Sequence, residues 1–100
     1  MSKGTLPRAR LGRTNLEVVR LGLGTGDSTL TEDCCRRAID LGIDYVDDAR
    51  SYGTEKVVGR AVKGRREQVI IASKTVGRTA ERAEAELHQS LRDLDTDYVD

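Results

Sequence analysis

Asp47, Tyr52 and Lys74 are the residues whose types and spacing can do chemistry in this chain. Asp47 closes one apolar run, Tyr45-Val46-Asp47, with Tyr52 just past it, and Lys74 ends the next run, Val69-Ile70-Ile71-Ala72-Ser73. If both runs are parallel strands, the three groups gather at one end of a sheet, where α/β proteins do their chemistry. A free tyrosine has a pKa of about 10, too high for efficient proton donation at neutral pH, and a nearby ammonium favours its phenolate. A carboxylate beside the lysine keeps that ammonium in place and charged. Such a cluster suits protonation of a carbonyl oxygen while hydride arrives at carbon. None of the three supplies hydride, so a nicotinamide cofactor is implied. The plainer reading is a surface tyrosine beside a structural Asp–Lys ion pair, and spacing alone favours it, because such pairs are common.

Gly22-Leu23-Gly24-Thr25-Gly26 begins like a dinucleotide-binding fingerprint, but the position that needs the third glycine holds Asp27. The glycines read instead as a tight turn leaving a strand. Thr25 then stands at that strand's C-terminal end, in a position to face a ligand.

The elements that must position these groups follow from periodicity. Residues 8–20 read as a hairpin around the turn residues Gly12-Arg13-Thr14-Asn15. Residues 21–24 read as a short buried strand. A helix begins near Thr31, with Glu32 and Asp33 in its first turn and Cys35, Ala38 and Ile39 on its apolar face, and it ends at Gly42. Residues 44–47 form the next strand. Thr54 caps a helix that buries Val57, Val58, Ala61 and Val62 and closes at Gly64. Residues 68–73, β-branched and unbroken, suit a strand buried on both faces. Thr79 opens the longest helix, with Ala83, Leu87, Ser90, Leu91 and Leu94 on one face and a solvated set including Glu81, Arg82, Glu84 and Glu86 on the other. Residues 97–100 start like a further strand. Hairpin followed by β-α-β-α-β-α-β implies right-handed parallel units with helices outside.

Composition narrows the classes. One hundred residues allow one domain. Seventeen basic residues balance seventeen acidic ones, so charge favours neither nucleic acid nor an anionic membrane. Phe and Trp are absent, leaving Leu, Val, Ile and Ala to build the core. No apolar run approaches the ~20 residues of a membrane span, and residues 1–7 lack a signal peptide's apolar stretch. Cys34 and Cys35 are adjacent, which makes no disulfide framework and no metal-ligand set. The expectation is a reduced, cytoplasmic protein.

Several of these segments, in this order, resemble the aldo-keto reductases. Residues 11–18 look like that family's opening hairpin and residues 20–25 like its first barrel strand. Residues 38–47 are similar to the approach to its catalytic aspartate, Tyr52-Gly53 to its catalytic tyrosine and glycine, and residues 65–74 to the strand ending in its catalytic lysine. Residues 90–100 resemble the helix leading into its fourth strand. The resemblance implies an α/β fold, the N-terminal part of a (β/α)8 TIM barrel preceded by a β-hairpin, with residues 1–100 a partial domain truncated near the fourth strand. It implies NADPH or NADH as cofactor and a small-molecule carbonyl as substrate, with no nucleic acid and no membrane as partner. It assigns Asp47 to the lysine's partner, Tyr52 to general acid and Lys74 to lowering the tyrosine's pKa, with Thr25 and Asp47 beside the nicotinamide. The family's catalytic histidine would lie past Asp100, and His88, inside a helix, does not replace it.

Three departures bear on the site. Asp48 stands where the family usually has threonine, and its repulsion of Asp47 is expected to weaken the hold on Lys74. The loop at Tyr52-Gly53-Thr54-Glu55 is short enough to misplace the phenol. Residues 26–30 are also short, thinning one wall of a substrate pocket. A complete barrel takes roughly 250 residues, and an open piece leaves strand edges unpaired. Two readings therefore stand beside the reductase: a non-catalytic truncated fragment that self-associates through its open sheet edges, and a scaffold or partner module that keeps the reductase fold and completes its sheet with a partner.

Overall fold

The computed structural model describes residues 6–100, so the reading of residues 1–7 lies almost wholly outside the described residues. Strands β1 (Arg8–Arg10) and β2 (Glu17–Val19) form an antiparallel hairpin. Gly12 (φ +54°) and Asn15 (φ +61°) make its left-handed turn positions. Then come β3 (Leu23–Gly24), α1 (Glu32–Asp40), β4 (Tyr45–Asp47), α2 (Glu55–Ala61), β5 (Ile70–Ala72) and α3 (Ala80–Leu94). The strands β3, β4 and β5 form one parallel sheet in chain order. The register sets Gly24 beside Asp47 and Asp47 beside Ala72. The C-terminal ends of all three strands are thereby level.

The helices cover one face of this sheet. Cys35 and Ile39 of α1, Val58 and Ala61 of α2, and Leu94 of α3 close over Val46 and Ile71. Each fully buried aliphatic side chain of this kind contributes about 1.5–3 kcal/mol. Thr31 and Thr79 cap α1 and α3 by accepting from Cys34 N and Arg82 N. Both helix starts are therefore where capping chemistry puts them. Gly59 lets α2 and α3 meet closely: a Cβ there would stand 2.7 Å from the Leu94 carbonyl oxygen.

The opposite face is open, and this corrects two expectations. Leu21 is 64% exposed and Leu23 only half-buried, so residues 21–24 are not a buried strand. Val69, just before β5, and Ile71 within it are buried toward the helices, but Ile70 and Ala72 are half-buried, so the strand is covered on one side. The cause is the same in both places. β-branched residues suit a strand with neighbours on both faces, and here the second layer is not among the described residues.

Residues 97–100 form no strand, yet they approach one. Asp100 N donates to the Ile71 carbonyl at 3.0 Å and its carboxylate accepts from Ile71 N at 3.0 Å. Arg66 holds this segment by donating to the Tyr98 carbonyl at 2.8 Å and to Asp100 Oδ2 at 2.9 Å. At the other end of the sheet Asp44 fastens the hairpin. Its carboxylate accepts from Val19 N at 2.8 Å and pairs with Arg8 at 3.0 Å.

Candidate active site

Asp47 ends β4, Tyr52 closes a 3-10 turn over Arg50–Tyr52, and Lys74 lies two residues past β5. The parallel register brings all three to the C-terminal end of the sheet. Lys74 Nζ donates to Asp47 Oδ1 at 2.9 Å and to the Asp48 carbonyl oxygen at 2.8 Å. The same ammonium lies 5.0 Å from the centre of the Tyr52 ring. The hydrogen bond that Lys74 donates to Asp47 raises the Lys74 pKa above its usual value, with smaller contributions from Tyr52. The ammonium is thus fixed by two oxygens and set against the aromatic ring, an electrostatically attractive contact.

The short loop does not carry Tyr52 away from the lysine. Tyr52 N donates to the Ala49 carbonyl at 3.1 Å, and Gly53 takes a left-handed φ of +74° that lets the chain turn at once into α2. The ring lies against Gly26, where an added Cβ would stand 3.6 Å from Tyr52 Cζ.

Asp48 also departs from expectation. Its carboxyl is buried on the helix side, away from the exposed Asp47–Lys74 pair. Oδ1 accepts from Ala49 N at 2.8 Å and lies 3.1 Å from the Thr54 hydroxyl. Oδ2 is buried and has no hydrogen-bond partner among the described residues. Successive residues of an extended segment point to opposite faces, so Asp48 supports Lys74 through its backbone carbonyl. Its carboxylate does not break the ion pair.

Thr25 is fully buried. Its hydroxyl donates to the Asp47 carbonyl at 2.9 Å and its backbone N–H to the same oxygen at 3.1 Å. Thr54 stands at the N-cap of α2 but does not cap it with its side chain. Its hydroxyl bonds the Thr25 carbonyl at 2.8 Å instead, tying the loop after β3 to α2. His88 sits on the outer helix α3, exposed and 3.7 Å from Glu84.

Sequence reasoning missed the neighbours that hold this site. Glu86, expected on a solvated face, accepts from the Thr75 hydroxyl at 2.5 Å and from Val76 N at 3.1 Å, which sets its pKa below the usual carboxylate range. It pins the segment after Lys74 to α3. Arg50 carried no local signal either; its partners Glu55 and Asp93 belong to α2 and α3. Two grooves approach the site. One of about 360 Å³ is lined by Lys74, Thr75, Leu87 and Val99, and one of about 430 Å³ by Leu23, Gly24, Tyr45 and Asp47. A larger one, about 780 Å³, lies between Arg66, His88 and Tyr98 and touches none of the three candidate groups.

Residues 20–100 match the family model described as the aldo/keto reductase family. The chain is 38% identical to the aldo-keto reductase YhdN of Bacillus subtilis over 87% of its own length and 34% of that protein's. It is 43% identical to the methylglyoxal reductase YeaE of Escherichia coli over 65% of its length and 25% of the other. The solved holo-form structure of an aldo-keto reductase from Bacillus halodurans superposes with a TM-score of 0.81 at 32% identity, covering 95% of this chain and 38% of that one. The chain thus spans about a third of the length of the curated relatives it matches.

Proposed function

Because the chain belongs to the aldo/keto reductase family, we propose that it is the N-terminal part of an enzyme that reduces aldehydes or ketones to alcohols with a reduced nicotinamide cofactor. One observation carries this reading: a single ammonium bonded to Asp47 and facing the Tyr52 ring at the C-terminal end of a parallel sheet. The donor set suits such a cofactor. Asp47, Tyr52 and Lys74 can hold and move a proton but contain no hydride source. The Asp47 and Lys74 side chains, 45% and 49% exposed, leave the strand ends open to a ligand.

When bound, NADPH or NADH supplies hydride to the carbonyl carbon. Tyr52 donates its phenolic proton to the carbonyl oxygen, so aldehyde plus hydride plus proton gives alcohol. The Lys74 ammonium stabilises the phenolate left behind, and Asp47 keeps that ammonium charged and placed. Asp47 and the backbone fixed by Thr25 would line the nicotinamide end. Thr25 acts there through the Asp47 carbonyl, since its hydroxyl is committed to that oxygen. The residues that grip the cofactor's phosphates and the family's histidine belong to later strands of the barrel. The relative named methylglyoxal reductase makes a small dicarbonyl the first substrate to try. Two free thiols and no helix long and apolar enough to cross a membrane among the described residues accord with a cytoplasmic protein.

Tyr52→Phe in the full-length protein tests the assignment. Loss of the general acid should lower kcat by on the order of 10²–10⁴-fold while cofactor affinity, read by fluorescence titration, stays put. Unchanged turnover would remove Tyr52 from the mechanism.

A further inference from the structure

Arg50 begins the turn that ends in Tyr52, and the chemistry above makes no use of it. Its backbone N–H donates to the Lys74 carbonyl at 2.9 Å. Its guanidinium Nη1 lies 2.9 Å from Glu55 Oε1 and 2.8 Å from Asp93 Oδ2. The Glu55 and Asp93 side chains are only 1% and 9% exposed, so solvent and salt screen these contacts weakly. The second oxygen of Glu55 accepts from the Ser73 hydroxyl at 2.8 Å. One cation therefore joins the Tyr52 turn to α2 and α3, and through Glu55 to the residue before Lys74. Removing it would take from two enclosed carboxylates the cation they share, an unfavourable change that should let the turn move.

We propose that Arg50, clamped between Glu55 and Asp93, is a positioning residue that sets the Tyr52 ring against the Lys74 ammonium. It touches neither substrate nor cofactor. It fixes the two groups from behind, by backbone to Lys74 and by side chain to the helices that flank the turn. The catalytic consequence rests on the carbonyl-reductase reading; the geometric one does not.

The test uses the full-length protein with isotope-labelled lysine, valine and isoleucine. With Lys74 Nζ 5.0 Å from the ring centre, the Tyr52 ring current should displace the Lys74 methylene resonances, and Tyr52→Leu defines their undisplaced position. Arg50→Met should lose most of that displacement while the methyl resonances of Val58 and Ile71 stay where they are, and Arg50→Lys, which keeps a cation, should recover part of it. In turnover, a misplacement on the order of 1 Å should cut kcat on the order of 10²-fold with KM for the cofactor little changed. Full displacement in a folded Arg50→Met protein would overturn the proposal. If Arg50→Met does not fold, Glu55→Gln and Arg50→Lys carry the test, and full displacement in both would overturn it equally. A wild-type protein that turns over no carbonyl, yet loses the displacement in Arg50→Met, would sink the reductase reading and leave the positioning role standing.

Discussion

At the scale of single residues, the chain's peculiarity is a carboxyl buried one position after the proposed catalytic aspartate. Asp48 Oδ1 accepts from Ala49 N and lies near the Thr54 hydroxyl, while Oδ2 has no hydrogen-bond partner among the described residues. An unsatisfied buried acceptor costs about 1–3 kcal/mol. Asp48→Thr keeps an oxygen for Ala49 N and removes the orphan, so it should raise stability by about that amount in urea denaturation; a less stable variant would mean that Oδ2 has a partner. The adjacent thiols differ just as sharply. Burial, then the neighbouring Cys34 and Asp48, push the Cys35 thiol up to about 11, while Cys34 is exposed. Thiolate is the reactive form. Iodoacetamide at neutral pH should therefore add one carbamidomethyl group to the native protein, on Cys34, and a second only in denaturant. Rapid double labelling by mass spectrometry would show that α1 does not shield Cys35.

At the scale of elements, the contact between α2 and α3 is the tightest point near the site. Gly59 stands where any Cβ would meet the backbone oxygens of Asp93 and Leu94 under 3.0 Å. Gly59→Ala would gain about 1 kcal/mol of helix propensity. Backbone cannot yield as a flexible side chain does, so forcing the helices apart should cost more and leave a net loss of about 1–3 kcal/mol. An unchanged denaturation midpoint would show that α3 slides freely. Asp93 also carries one side of the Arg50 clamp, so a shifted α3 should disturb Tyr52 as well. Element order as far as α3, the Thr31 and Thr79 caps and the strand-end location of Asp47 and Lys74 were legible because each rests on local pattern: β-branched runs, capping residues, glycine stops. What stayed hidden depends on neighbours distant in sequence. Nothing near Arg50 announces Glu55 on the next helix together with Asp93 on the last. Nothing near Leu21 or Ile70 tells whether a second layer covers them. The direction of the Asp48 carboxyl follows from strand alternation that the double-aspartate motif conceals.

At the scale of the whole molecule, the chain is a sheet with one finished face. Leu21, Val76, Leu87 and Tyr98 are large apolar side chains left exposed, and both outer strands have edges that no described residue fully pairs. Such edges invite pairing with another chain. The 100-residue polypeptide by itself should therefore assemble in a concentration-dependent way. Sedimentation velocity across a hundredfold range of concentration reads this directly, and a monomer throughout would mean that the open face is tolerated.

The sheet's order has a further consequence, in time. Strands β4 and β5 each lie beside the strand made just before them, and Asp100 has already begun to bond with Ile71. On a ribosome, each βα unit can therefore dock as it emerges, at the pace of synthesis. The exception is the outer edge of β3. In a closed eight-stranded ring its neighbour is the last strand to be translated, so the first piece of barrel to appear is also the one that waits longest for company.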